Sequence, residues 1–224
     1  MTRDAGSLPA LDLRAVDWYH LMMDDERYTT LAAPAGAEVV EQRSRFIGHA
    51  ARAETRDAAS AFIDDVKQRH PRATHHCWAY RVGYPDRPEE YFSDAGEPSG
   101  TAGRPMLNVL CQAGMQNVVV AVARYFGGTK LGVRGLIDAY RLCAATTISA
   151  GTAVIRQPMT TMALTVSYDR FDTLRRLVEQ TGGQVTQAEY SAQVRMIVEI
   201  PRSASVAFAE TAHAIGVESS SACE

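Results

Sequence analysis

Residues 118–123 read VVVAVA, an apolar run with no polar break, and RYFGGTKLGVRG follows at once at residues 124–135. A short continuous apolar run bounded by turn residues is the pattern of a fully buried strand. Residues 136–150 then carry a helical pattern, so the stretch reads as strand, glycine-rich turn and helix start. Gly127 and Gly128 allow backbone conformations closed to other residues. A helix start gathers unpaired N–H groups and the positive end of the helix dipole. Lys130 and Arg134 add full charges, so an anion, phosphate above all, is the expected occupant. The same turn also reads as a tight connection with no ligand. G-x-x-x-x-G-K-[ST] and G-x-G-x-x-G are both absent, which argues against bound ATP or NAD; no cofactor is expected.

At 224 residues the chain has room for one large domain or two small ones. Net charge is −3, which excludes a uniformly basic nucleic-acid binder. The charge is unevenly spread. Residues 98–150 hold Arg104, Arg124, Lys130, Arg134 and Arg141 against the single acid Asp138, so a local basic surface is expected. Cys77, Cys111, Cys143 and Cys223 form no C-x-x-C pair and suggest neither a zinc site nor a disulfide framework. Three of them lie among apolar residues and are expected to be buried. A cytoplasmic location is expected, with no signal-peptide core and no membrane span.

Taken in order, residues 1–28 are irregular and acidic, with a short helix over 13–23 and Met23 as an alternative start. Strands are expected at 38–41 and 45–51, then a helix capped by Thr55 with Ala59, Phe62, Ile63 and Val66 on its apolar face. A strand over 76–83 puts Trp78, Tyr80 and Val82 on one face. SDAGEPSGTAG at 93–103 forbids regular structure, and Thr101 is placed to cap the next helix, buried through Met106, Leu107, Leu110 and Cys111. A boundary falls near Arg156. Beyond it the order is strand 159–167, helix 170–181, strands 184–189 and 193–200, and helix 203–215. This suggests a ferredoxin-like domain whose fourth strand must come from the short, serine-rich 216–224.

The motifs His75-His76-Cys77-Trp78-Ala79-Tyr80, SDAGEPSGTAG and RYFGGTKLG, in that order and spacing, resemble the IMPACT / YigZ family over about residues 28–215. The resemblance implies an α+β fold. An N-terminal domain like the second domain of ribosomal protein S-five would span 29–156, and a ferredoxin-like domain 157–224, after an N-terminal extension 1–28. Together the two look like the tip domains of elongation factor G. Eukaryotic relatives regulate translation by restraining a stress kinase through an added N-terminal domain. Residues 1–28 are too short for that domain, so the kinase role is not carried over. The chain departs from the family pattern at Ala95, where a second Asp is usual, which weakens any paired-carboxylate role. Arg134 stands at a usual glycine and Asp138 at a usual arginine; four apart on a helix, they can pair.

These readings name the candidates. Arg124, Tyr125, Gly127, Gly128, Lys130, Arg134, Ser99 and Thr101 are anion- or nucleic-acid-binding residues. His75, Asp94 and Glu97 are loop-organising residues or an acid–base set. A metal site from His75, Cys77 and Asp94, and a Ser99–His75–Asp94 triad, are disfavoured because two strand ligands do not complete a metal site and G-x-S-x-G is absent. Phe126 is expected in the core. RNA or a ribosome-associated protein is the expected partner, and an enzyme acting on a phosphorylated small molecule is the alternative.

Overall fold

The computed structural model describes residues 27–220. The helix expected over 13–23 and the start at Met23 lie outside that range. The described chain forms an α+β fold with three hydrophobic clusters, one on each face of the N-terminal sheet and one in a ferredoxin-like C-terminal domain.

The N-terminal unit begins with β1 (Tyr28–Leu31), β2 (Ala35–Glu41) and β3 (Ser44–Arg52). Helix α1 (Arg56–Arg69) follows, with the Thr55 hydroxyl accepting from the Ala58 N–H at 3.1 Å. Asp57 in its first turn and Lys67 and Arg69 in its last complement the helix dipole. Next come β4 (His75–Tyr84), β5 (Arg87–Ser93), α2 (Gly103–Gln112), β6 (Val118–Tyr125), α3 (Gly132–Ser149) and β7 (Ala153–Arg156). Five strands make one antiparallel sheet, in the order β2-β3-β6-β4-β5. β6 is its centre, and Val118 to Ala123 are all buried, as the unbroken apolar run requires.

Both sheet faces are covered. Val118, Val120 and Val122 pack under α2 and α3 with Phe46, Cys77, Leu110 and Tyr140. Val119 packs with Ala51, Tyr80 and Val82 under Ala59 and Ile63 of α1. Cys77 and Cys143 are buried, but Cys111 is exposed with its thiol 3.4 Å from Glu90 Oε1. The expectation that it lines the core fails because Met106, Leu107, Val109 and Leu110 already fill the inner face of α2.

The C-terminal unit is β8 (Met159–Val166), α4 (Tyr168–Gln180), β9 (Gln184–Tyr190), β10 (Val194–Pro201), a single 3-10 turn, α5 (Ser205–Ala214) and β11 (Glu218–Ser220). Sheet order is β11-β8-β10-β9, with β8 and β9 both antiparallel to the β10 between them. That is the split βαβ arrangement of ferredoxin-like folds. Val194, Met196, Val198 and Ile200 alternate inward beneath Leu174 and Val178 of α4 and Phe208 and Ala212 of α5. The short fourth strand exists. Three residues suffice because they pair with β8, which already has β10 on its other edge.

Candidate functional site

The two glycine-rich segments meet at one carboxylate. Arg124 lies near the end of β6 on the face beneath α3, and its Nη1 donates to Glu97 Oε1 at 2.6 Å. The Tyr140 hydroxyl, from α3, donates to the same oxygen at 2.8 Å. Arg124 is 5% exposed and Glu97 9%, so the loop at 93–103, β6 and α3 are joined by a buried ion pair. Such a pair holds only when further hydrogen bonds offset the loss of water, as Tyr140 does here.

Asp94 spends its carboxylate on the backbone. Oδ2 accepts from Gly100 N–H at 2.7 Å, and Oδ1 accepts from Ala102 and Gly103 N–H at 2.9 and 2.8 Å. It therefore caps α2 from eight residues upstream, and the expected cap Thr101 does not. Thr101 is buried and donates instead to the Pro98 carbonyl at 2.6 Å. Ala95 sits at φ +44°, a left-handed conformation that Asp, Asn and Gly tolerate better than Ala. Its carbonyl lies 3.0 Å from His75 Nδ1. A carbonyl can only accept, so that nitrogen donates, and in the neutral ring Nε2 is left as an acceptor. Nε2 stands 3.9 Å from Glu97 Oε2.

A half-open cavity of about 360 Å³ lies over this network. His75, Glu97 and Arg124 line it together with Phe126, Leu131, Val133 and Leu136. Lys130 and Gly132, at the start of α3, also line it. α3 begins without a side-chain cap and without an acid in its first turn, so its first N–H groups lack a side-chain acceptor. Among the described residues Lys130 has no carboxylate partner within ion-pair distance.

Other candidates fall elsewhere. Ser99 is exposed and does not line the cavity, and Thr101 is buried beneath its loop. Tyr125 points to the α1 side, its hydroxyl 3.1 Å from His70 Nδ1. Gly127 is required by a close approach: a Cβ there would stand 2.1 Å from the Arg43 carbonyl. Gly128 adopts φ +89°. Both glycines thus answer to chain geometry before any ligand. Arg134 pairs with Asp138 at 3.2 Å, fully on the surface. The cavity is therefore not the strongly basic hollow that the sequence suggests. Arg124 is neutralised by Glu97, Arg134 by Asp138, and Lys130 is left as its unpaired cation among the described residues.

Phe126 corrects the sequence reading in the other direction. It is 48% exposed and forms a wall of the cavity, because β6 ends at Tyr125 and the next residue leaves the sheet. No local pattern distinguishes it from a core aromatic.

Chemistry-bearing groups are disarmed here. Burial pushes the Cys77 thiol up to about 12, so it stays protonated at neutral pH. Both Asp94 oxygens accept from backbone N–H groups, and among the described residues no hydrogen bond joins Asp94 or Ser99 to His75. Among the described residues no group of three His, Cys, Asp or Glu side chains is placed to hold a metal. No helix there is long and apolar enough to cross a membrane.

Residues 42–148 match the family model "Impact N-terminal domain", and residues 164–211 match "Domain of unknown function (DUF1949)". The chain is 36% identical over 177 residues to IMPACT family member YigZ of Escherichia coli, spanning 79% of this chain and 87% of the relative. It is 34% identical over 183 residues to IMPACT family member YvyE of Bacillus subtilis, spanning 82% and 84%. A crystal structure described as a hypothetical protein aligns with TM-score 0.65 and 32% identity, covering 89% of this chain and 98% of its own. Similarity of that extent through both domains places this chain in the IMPACT family.

Proposed function

We propose that this protein is a translation-associated binding protein that contacts RNA through the mouth of the cavity beside α3. The observation that carries the reading is the uncapped start of an 18-residue helix opening next to Lys130, which has no carboxylate partner among the described residues. Helix N-termini and lysines both favour phosphate. Membership in the IMPACT family supplies the translational setting. The cation count is low, so modest affinity and a shallow salt dependence are expected, unlike those of a basic groove.

The test compares wild type with Lys130→Ala/Arg134→Ala for binding to single-stranded RNA and to ribosomes at two salt concentrations. The variant is expected to bind more weakly, with a salt slope shallower by about 1 for each phosphate it no longer neutralises. Equal binding by both proteins would remove this surface from the function.

A further inference from the structure

We infer that the cavity reads one splayed-out nucleotide of single-stranded RNA and prefers guanine. This rests on the proposed RNA contact at Lys130 and α3, and specifies what enters beside it. At about 360 Å³ the cavity is at the small end of ligand sites, which run from about 300 to 1,000 Å³, so it suits one nucleotide and no duplex. Its walls are apolar. Phe126 offers an exposed ring, with Leu131, Val133 and Leu136 completing the surface, and single-stranded bases are held by stacking on such rings.

The floor sets the choice of base. Glu97 Oε1 is taken by Arg124 and Tyr140, which leaves Oε2 as an acceptor. In its neutral form His75 offers Nε2 as the second acceptor, since its Nδ1 donates to the Ala95 carbonyl. The two stand 3.9 Å apart, too far to satisfy each other. A ligand must bring donors to both. Guanine alone has two adjacent donors on its pairing edge, N1–H and the N2 amino group. Uracil, cytosine and adenine would each set an acceptor against one of these acceptors, leaving it unpaired at a cost. Arg124 also lines this floor, and its guanidinium charge favours the electron-rich O6 of guanine. Lys130 and the first N–H groups of α3 then receive the adjoining phosphate.

The test measures fluorescence anisotropy of labelled uridine hexamers carrying a central G, A or U, with the full chain. The G hexamer is expected to bind about tenfold tighter than the U hexamer. Phe126→Ala is expected to weaken the G hexamer at least fivefold with its melting transition unchanged. Glu97→Gln turns an acceptor into a donor and is expected to abolish the G preference; should it not fold, Phe126→Ala decides alone. Equal affinity for the three hexamers, or wild-type affinity in Phe126→Ala, overturns the inference. If Lys130→Ala still weakens binding while base preference is absent, the RNA contact stands and the base pocket falls. If no hexamer and no ribosomal RNA binds, both fall. Phe126-dependent binding to ribosomal proteins without RNA would assign the cavity to a protein partner and also overturn it.

Discussion

Arg124 and Lys130 carry the same charge six residues apart, yet their surroundings give them opposite weight. Arg124 is buried against Glu97, so truncating it leaves an uncompensated carboxylate in the core. Arg124→Ala is expected to cost about 3–5 kcal/mol. Lys130→Ala, at an exposed position, is expected to stay within about 0.5 kcal/mol of wild type. Urea unfolding of both variants checks this, and similar losses would mean that the ion pair does not hold the loops. Ala95 is the second informative residue. Its φ of +44° is strained for alanine, so Ala95→Gly or Ala95→Asn is expected to stabilise the protein by about 0.5–1 kcal/mol. A lower urea midpoint would show that the alanine methyl makes a contact worth more than the strain. The sequence displayed Ala95 as an oddity, but only the backbone angle says what the oddity costs.

At the scale of elements, the glycine turn is a docking surface for the β2–β3 hairpin. Gln42 and Arg43 at the hairpin tip have φ of +44° and +68°, as a two-residue turn of type I′ demands. Arg43 then reaches Thr129 Oγ1 at 2.9 Å, while its own carbonyl lies against Gly127. Gly127→Ala must push the hairpin tip away. It is expected to destabilise the fold by about 1–3 kcal/mol, while Gly128→Ala acts through its φ of +89° alone. Hydrogen exchange of the β2–β3 amides separates the two, since only Gly127→Ala should loosen that hairpin; equal loosening would count against the docking. This contact joins residues more than eighty positions apart, which is why the sequence showed a glycine-rich turn and not its partner. Strands and helices with period-2 or helical patterning were legible, down to β10, expected at 193–200 and found at Val194–Pro201. The β1–β7 pair was not, because four residues on each side carry no periodicity and their register is set only on folding. The cavity was half legible. Its two loops stood out by composition, but the Glu97–Arg124 pairing that neutralises it depends on long-range geometry.

At the scale of the whole molecule, the two domains should answer differently to acid. His49 Nε2 and His70 Nε2 lie 2.8 Å apart, so one must donate and the other accept. Around them stand Arg69 and Asp65 of α1, His76 of β4, which bonds the His70 carbonyl, and Tyr125 of β6. Burial first, then Arg69 and His70, lower the His49 pKa from 6.5 to about 4. The unfolded chain therefore takes up the proton at a higher pH than the folded one. The stabilisation is complete above about pH 6.5 and is lost as pH falls towards 4. His213, in the C-terminal domain, sits exposed in the last turn of α5 and forms no such pair among the described residues. Acid should thus weaken the N-terminal domain first. Trp78, on β4 and packed against the N-terminal core, reports on that domain once Trp18 is replaced by Phe. The urea midpoint read by fluorescence is expected to drop between pH 7.5 and 5, and His49→Gln is expected to flatten that drop. A variant that falls as steeply as wild type would place the acid sensitivity outside the histidine pair.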